Sequence, residues 1–143
     1  MTKRSKPLMV AETASSYRSY RRGQIWWVEL GKPAGHEAGY VHPAVIVSKQ
    51  EYTSVAENLG WVIVVPGTST RIEVPRTARI PLIHLEIGPS NANNLDHTTY
   101  FHCEKVRSVS PLRLERLIGV MEVRQLREIE NRLCLVMDLF KRG

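Results

Sequence analysis

The sequence predicts an α+β domain that is mainly β and closes on one long helix. Three observations carry this. Trp61-Val62-Ile63-Val64-Val65-Pro66 is apolar on both faces, the pattern of a central strand. Ile25 to Leu30 is rich in β-formers and bounded by Gly23 and Gly31. Val123, Leu126, Ile129, Leu133, Val136, Met137 and Phe140 recur at helical spacing, with Arg124, Arg127, Glu128 and Arg132 between them. That is an amphipathic helix of about five turns at 3.6 residues per turn. Short strands followed by a terminal helix give the α+β order, and 143 residues suffice for one domain with a real core.

The elements follow in order. Residues 1–20 hold Lys3, Arg4, Lys6 and Arg18 without a sustained apolar period, and read as a flexible basic arm ahead of a domain over residues 21–143. Ile25 to Leu30 is the first strand; Trp26 and Trp27 point to opposite faces, so one is core and the other is free to stack on a base or meet a second subunit. A polar loop leads through Pro43 into Ala44 to Val47, the second strand. Lys49 to Leu59 holds one or two helical turns closed by Gly60. The central strand ends in Gly67-Thr68-Ser69-Thr70, a turn dense in hydroxyls. Arg71 to Val74 and Arg79 to Leu82 read as short strands, with Pro75 and Pro81 at strand ends or on an edge. Ile87 to Thr98 is a long loop or hairpin tip. Thr99 to Val106 returns to strand character. Ser110 as N-cap and Pro111 at the first helical position open a turn through Leu117, and Ile118 to Met121 is a last short strand.

Composition narrows the function classes. The net charge of +6 and the sequence pI near 9.6 favour a polyanionic partner, nucleic acid first. Cys103 and Cys134 form no Cys-x-x-Cys pair and fit a reduced compartment. No apolar run approaches a membrane span, and Leu8 to Ala11 is too short for a signal-peptide core, so the expected address is cytoplasmic. Walker A, Rossmann and Gly-x-Ser-x-Gly patterns are absent, which argues against nucleotide-driven chemistry and hydrolase triads. Five histidines (36, 42, 84, 97 and 102) show no ligand spacing such as His-x-x-x-His, so neither a metal nor a cofactor is expected.

The best site candidate is the loop between the first two strands, where three glycines, two histidines and a glutamate crowd beside a sheet. Here the chain resembles a known family. Arg22-Gly23-Gln24-Ile25-Trp26-Trp27-Val28, the Pro33-Ala34-Gly35-His36-Glu37 loop and His42-Pro43-Ala44-Val45-Ile46-Val47-Ser48 are similar to the N-terminal motif of the MazF/PemK (Kid) toxins, the ribonuclease halves of type II toxin–antitoxin pairs. Val64-Val65-Pro66-Gly67-Thr68-Ser69, Cys103 to Val109 and Ile118-Gly119 continue the resemblance, which spans about residues 22–140. It implies a small SH3-like β-barrel with the C-terminal helix against it, a homodimer, and an antitoxin protein laid over an RNA groove.

Cleaving RNA through its own 2′-OH needs a base, an acid for the leaving 5′ oxygen, and donors for the phosphorane charge. His36, Glu37, His42, Thr68, His102 and Glu104 are the candidates for these tasks. The resemblance assigns the loop positions to His36 and Glu37, the hydroxyl after the apolar strand to Thr68, and the Arg-Cys-Asp run of Kid-like members to His102-Cys103-Glu104. Two departures stand out: the family's arginine before proline is His42 here, and its second arginine is His102. Arginine holds its charge at any pH, whereas histidine titrates, so the exchange moves the site toward acid–base chemistry. Lys49, Arg71, Arg76 and Arg79 are expected to hold phosphates of single-stranded RNA, and Tyr40 to stack on a base. Two rival readings remain at this level: a non-catalytic toxin like the gyrase poisons of the CcdB type, and a degenerate member that binds without cleaving.

Overall fold

The computed structural model of the chain describes residues 18–71 and 83–139. Their elements are β1 (Gln24–Glu29), β2 (Val41–Ile46), α1 (Gln50–Thr53), α2 (Ala56–Leu59), β3 (Val62–Thr68), β4 (His84–Ile87), β5 (Thr99–His102), β6 (Arg107–Val109), β7 (Leu114–Val120) and α3 (Val123–Met137). The class is as expected: a mainly antiparallel β domain with one long C-terminal helix. The strands run β4-β5-β3-β2-β1-β7, and β6 also pairs with β3. Among the described residues no ladder joins β4 to β7, so the expected barrel stays open there. None of their helices is long and apolar enough to cross a membrane.

β3 is central because it is longer than its partners. Val62 to Val64 pair with β6, Gly67 and Thr68 pair with β5, and the opposite edge pairs with β2. Alternation splits the apolar residues between two faces. One face gathers Trp26, Val28, Ala44, Ile46, Val62 and Val64; the other gathers Ile25, Val45, Val65, Phe101, Met121 and, from α3, Ile129. Of the two tryptophans, Trp26 is the core residue. Gly60 closes α2 in the left-handed conformation, φ 88°, as its position predicts.

Several expectations are corrected. The arm does not extend to residue 20, because Tyr20 is buried against Trp26 and the Arg18 guanidinium lies 5.2 Å over the Trp26 ring. The strand expected over Thr99 to Val106 stops at His102, where a 3-10 turn (Cys103–Lys105) lets the chain leave one partner segment of β3 and reach the other as β6. Ser110 does cap a turn, accepting the Leu112 N–H at 3.2 Å, but that turn ends at Arg113. Leu114 to Leu117 then belong to β7, whose pairing with β1 overrides the local helical look of their charges. β4 was not foreseen, and the terminal helix covers 15 residues, about four turns. The strand expected over Arg79 to Leu82, residues 72–74 of the one expected from Arg71, and Phe140 lie outside the described residues.

Candidate active site

Register brings the histidines together. β2 and β3 pair Ala44 with Pro66 and Val45 with Val65; carried two residues further, the same register sets His42 opposite Thr68. β3 pairs Thr68 with Tyr100, and β5 pairs Phe101 with Leu85 and His102 with His84. Directly opposed residues and those two apart share a face. His42, Thr68, His102 and His84 therefore project from one face, past the end of the core that holds Ala44 and Val64. His42 is a strand residue, paired with Val28 in the β1–β2 ladder, not the loop residue the sequence suggested.

A cleft of about 340 Å³ opens there, lined by Glu37, Tyr40, His42, Thr68, His102 and Lys105. A second hollow of about 320 Å³ shares His42 and Thr68 and continues past Trp27, His97 and Arg116. His42 and Thr68 thus stand between the two hollows. The loop from β1 carries Glu37 and Tyr40 to it. Glu37 Oε1 accepts the Ala34 backbone N–H at 2.9 Å, which folds the Pro33 to Glu37 turn onto itself. Tyr40 has φ 61°, an unusual conformation for a bulky residue. Backbone bonds of 2.7 Å hold it, Tyr40 N–H to the Gly31 carbonyl and Leu30 N–H to its own, and keep the exposed ring at the mouth of the cleft. Gly39 is required beside it: a Cβ there would lie 2.3 Å from the Pro33 ring.

His102 is buried, and neither ring nitrogen has a hydrogen-bond partner. Burial and the neighbouring His84 lower it to about 4, outweighing Glu104, which pulls it up; Lys105 and His42 add to the lowering. At neutral pH His102 is therefore an uncharged imidazole with a free lone pair. Glu104 stands outside the main cleft but turns Oε2 toward two rings, 3.0 Å from His84 Nε2 and 3.6 Å from His102 Nδ1. Cys103 between them is inert, its thiol pushed up to about 12 by burial.

Of the residues proposed from sequence, Glu37, Tyr40, His42, Thr68 and His102 line the main cleft, and Glu104 touches its back. His36 is exposed and lines neither hollow. Lys49 follows the far end of β2 from His42 and pairs with Glu51 at 3.5 Å, so it is not a cleft residue. Arg71 follows Thr70, which lines the cleft. Arg76 and Arg79 lie outside the described residues. Lys105, Arg116 and His84 were missed. Only the cross-strand pairing, which no local pattern announces, brings them in.

Known proteins resemble this chain in sequence and in fold. The model of the PemK-like, MazF-like toxins of type II toxin–antitoxin systems matches residues 21–137. The chain is 33% identical over 122 residues to the endoribonuclease MazF9 of Mycobacterium tuberculosis, covering 84% of this chain and 98% of that protein. In fold it is similar to MazF from Deinococcus radiodurans, with a TM-score of 0.68, 20% identity, and coverage of 86% of this chain and 100% of that one. It is also similar to a mycobacterial endoribonuclease in complex with its cognate antitoxin, with a TM-score of 0.63, 19% identity, and coverage of 88% and 100%.

Proposed function

Because the chain belongs to the PemK-like, MazF-like toxins of type II toxin–antitoxin systems, we propose that it cleaves single-stranded RNA, selectively by sequence and without a metal, through the groove that His42 and Thr68 divide. It is an endoribonuclease toxin, as its 33% identity to an enzyme of that name supports, and an antitoxin is its protein partner. The gyrase-directed and non-cleaving alternatives are not favoured. The observation that carries the finer reading is the convergence of His42, Thr68 and His102 on one cleft.

The steps follow from the residues. The neutral His102 imidazole takes the proton of the 2′-OH, whose oxygen attacks the adjacent phosphorus. Charge on the non-bridging oxygens is met by the Lys105 ammonium and the Thr68 hydroxyl. His42 gives a proton to the departing 5′ oxygen as the P–O5′ bond breaks. The products are a 2′,3′-cyclic phosphate and a 5′-OH. Glu37 holds the loop that walls the cleft, Tyr40 and Trp27 offer faces for unstacked bases, and Arg116 offers a cation for the backbone. Arg71, Arg76 and Arg79 extend the phosphate contacts.

The protein works as a homodimer in the cytoplasm. Support for the dimer lies beside β1: β7 pairs only with β1 among the described strands, and Leu117 and Val120 are exposed along it. The deciding experiment is incubation of the purified protein with mixed-sequence RNA in EDTA, with both product ends mapped. Cuts at a recurring sequence that leave 5′-OH ends are expected. Uncut RNA, or 5′-phosphate ends, would overturn the mechanism.

A further inference from the structure

We propose that His84, His102 and Glu104 form a binding site for one divalent transition-metal ion of the zinc class, and that its occupancy switches cleavage off. The three residues each offer one donor atom, and these atoms lie within 4.8 Å of one another. Both imidazoles approach the same carboxylate oxygen, Glu104 Oε2, at 3.0 Å from His84 Nε2 and 3.6 Å from His102 Nδ1. Ligands of a tetrahedral ion with bonds of 2.0–2.1 Å sit about 3.3 Å apart, so small side-chain rotations complete the geometry.

His102 is the independent sign of a ligand. Its ring is 3% exposed and both nitrogens lack a hydrogen-bond partner, a condition that leaves a buried polar group uncompensated. A metal bond to Nδ1 would give one of the two nitrogens a partner. The frame is rigid, since β4 and β5 pair His84 directly with His102 and their rings stack at 4.3 Å.

The donor set chooses the ion. Two imidazoles and one carboxylate suit zinc and its neighbours, whereas magnesium and calcium call for oxygen ligands. Three protein ligands leave a fourth position, and the partly exposed sides of His84 and Glu104 give an entry path. Lys105 and His42 are the nearby groups that oppose a cation, and the Glu104 charge offsets them. The spacing escapes any sequence motif because the first ligand is 18 residues from the second, on a different strand.

The consequence for cleavage rests on the role of His102 under Proposed function. A lone pair given to a metal is no longer available to the 2′-OH. Zinc is thus an inhibitor of this chain, not a cofactor, in keeping with the cleavage expected in EDTA.

The test is calorimetric titration of the metal-free full chain with zinc chloride, in excess magnesium. One saturable zinc site per chain is expected. His84→Gln and Glu104→Gln should each weaken it at least about tenfold, while His97→Gln leaves it unchanged. Glu104 is largely a surface residue, so its variant keeps the test valid if His84→Gln folds poorly. No saturable binding, or equal affinity in all four proteins, would overturn the site. The same samples are then assayed on RNA. Cleavage should fall in step with zinc occupancy and return on adding EDTA. Saturated protein that still cuts at the metal-free rate would overturn the switch and the assignment of His102 as base, while the binding data keep the site.

Discussion

The His84 imidazole lies over that of His102, ring centroids 4.3 Å apart at 29°, so protonating either ring places a charge against the other. Together with burial this lowers His102 to about 4, against an ordinary value near 6.5. Between these two values the unfolded chain binds a proton that the folded chain refuses. In EDTA, stability should therefore hold above pH 6.5 and fall as pH drops through 6.5 toward 4. Urea melts at pH 7.5 and 5 read the difference. His102→Gln should flatten it, and an equally steep fall in that variant would assign the effect elsewhere.

His42 stands where the resemblance implies an arginine, at the proposed phosphate site. His42→Ala should slow the chemical step by roughly a hundredfold or more, the range for a general acid–base group. Its ring lies at the cleft rather than in either core cluster, so the melting temperature should move little. His42→Arg keeps a cation beside the phosphate but has no proton to give up, so its rate should stay nearer to that of the alanine variant than to wild type. Single-turnover cleavage across pH 6–9 checks both. Wild-type rates in the alanine variant would remove His42 from the site.

The domain boundary can be located by truncation. Deleting residues 1–17 should leave the fold intact, since no core period runs through them. Removing residues 1–20 takes away Tyr20, which is 6% exposed, and the Arg18 contacts to Trp26 and the Leu114 carbonyl. The expected further loss is about 3 kcal/mol, as for other buried aromatics, measured by denaturant unfolding. Identical stability of the two truncations would contradict the packing.

Asn93 organises the loop beneath the second hollow. It is fully buried, its Oδ1 accepts the Ser90 and Leu95 backbone N–H groups at 2.9 Å each, and its amide donates to the Gly88 carbonyl at 2.9 Å. Asn93→Ala strands all three backbone groups and should cost about 2–4 kcal/mol. Thermal unfolding reads it. A loss below about 0.5 kcal/mol, the size of a surface change, would show that the loop holds itself.

The open edge of β7 makes the dimer testable. Sedimentation equilibrium at micromolar concentration should give twice the chain mass, and Leu117→Asp should shift it toward monomer. A wild-type chain that sediments only as monomer would refute the interface.

Much of this molecule is readable in its sequence. The run from Trp61 to Pro66 could only be a strand covered on both faces, and the spacing from Val123 to Met137 could only be an amphipathic helix, whose stripe is buried at Ile129, half-buried at Leu126 and Leu133, and exposed at Val123, Val136 and Met137. The loop residues Glu37 and Tyr40, and His42, Thr68 and His102, were reachable because a family motif marks their neighbourhoods. Leu114 to Leu117 misled, because four residues with two charges fit a turn as well as an edge strand.

What the sequence determined by itself is therefore each element whose apolar period is strong, together with the chemical types present at the site. Tertiary structure alone decided which of those side chains meet. His84 lies 18 residues from His102 yet directly across a ladder from it, Lys105 reaches the cleft through a turn that interrupts an expected strand, and Lys49 falls at the wrong end of β2. Local pattern reports the energy of a residue against its chain neighbours. Strand register is set by the burial of two whole faces at once, and no single segment contains it.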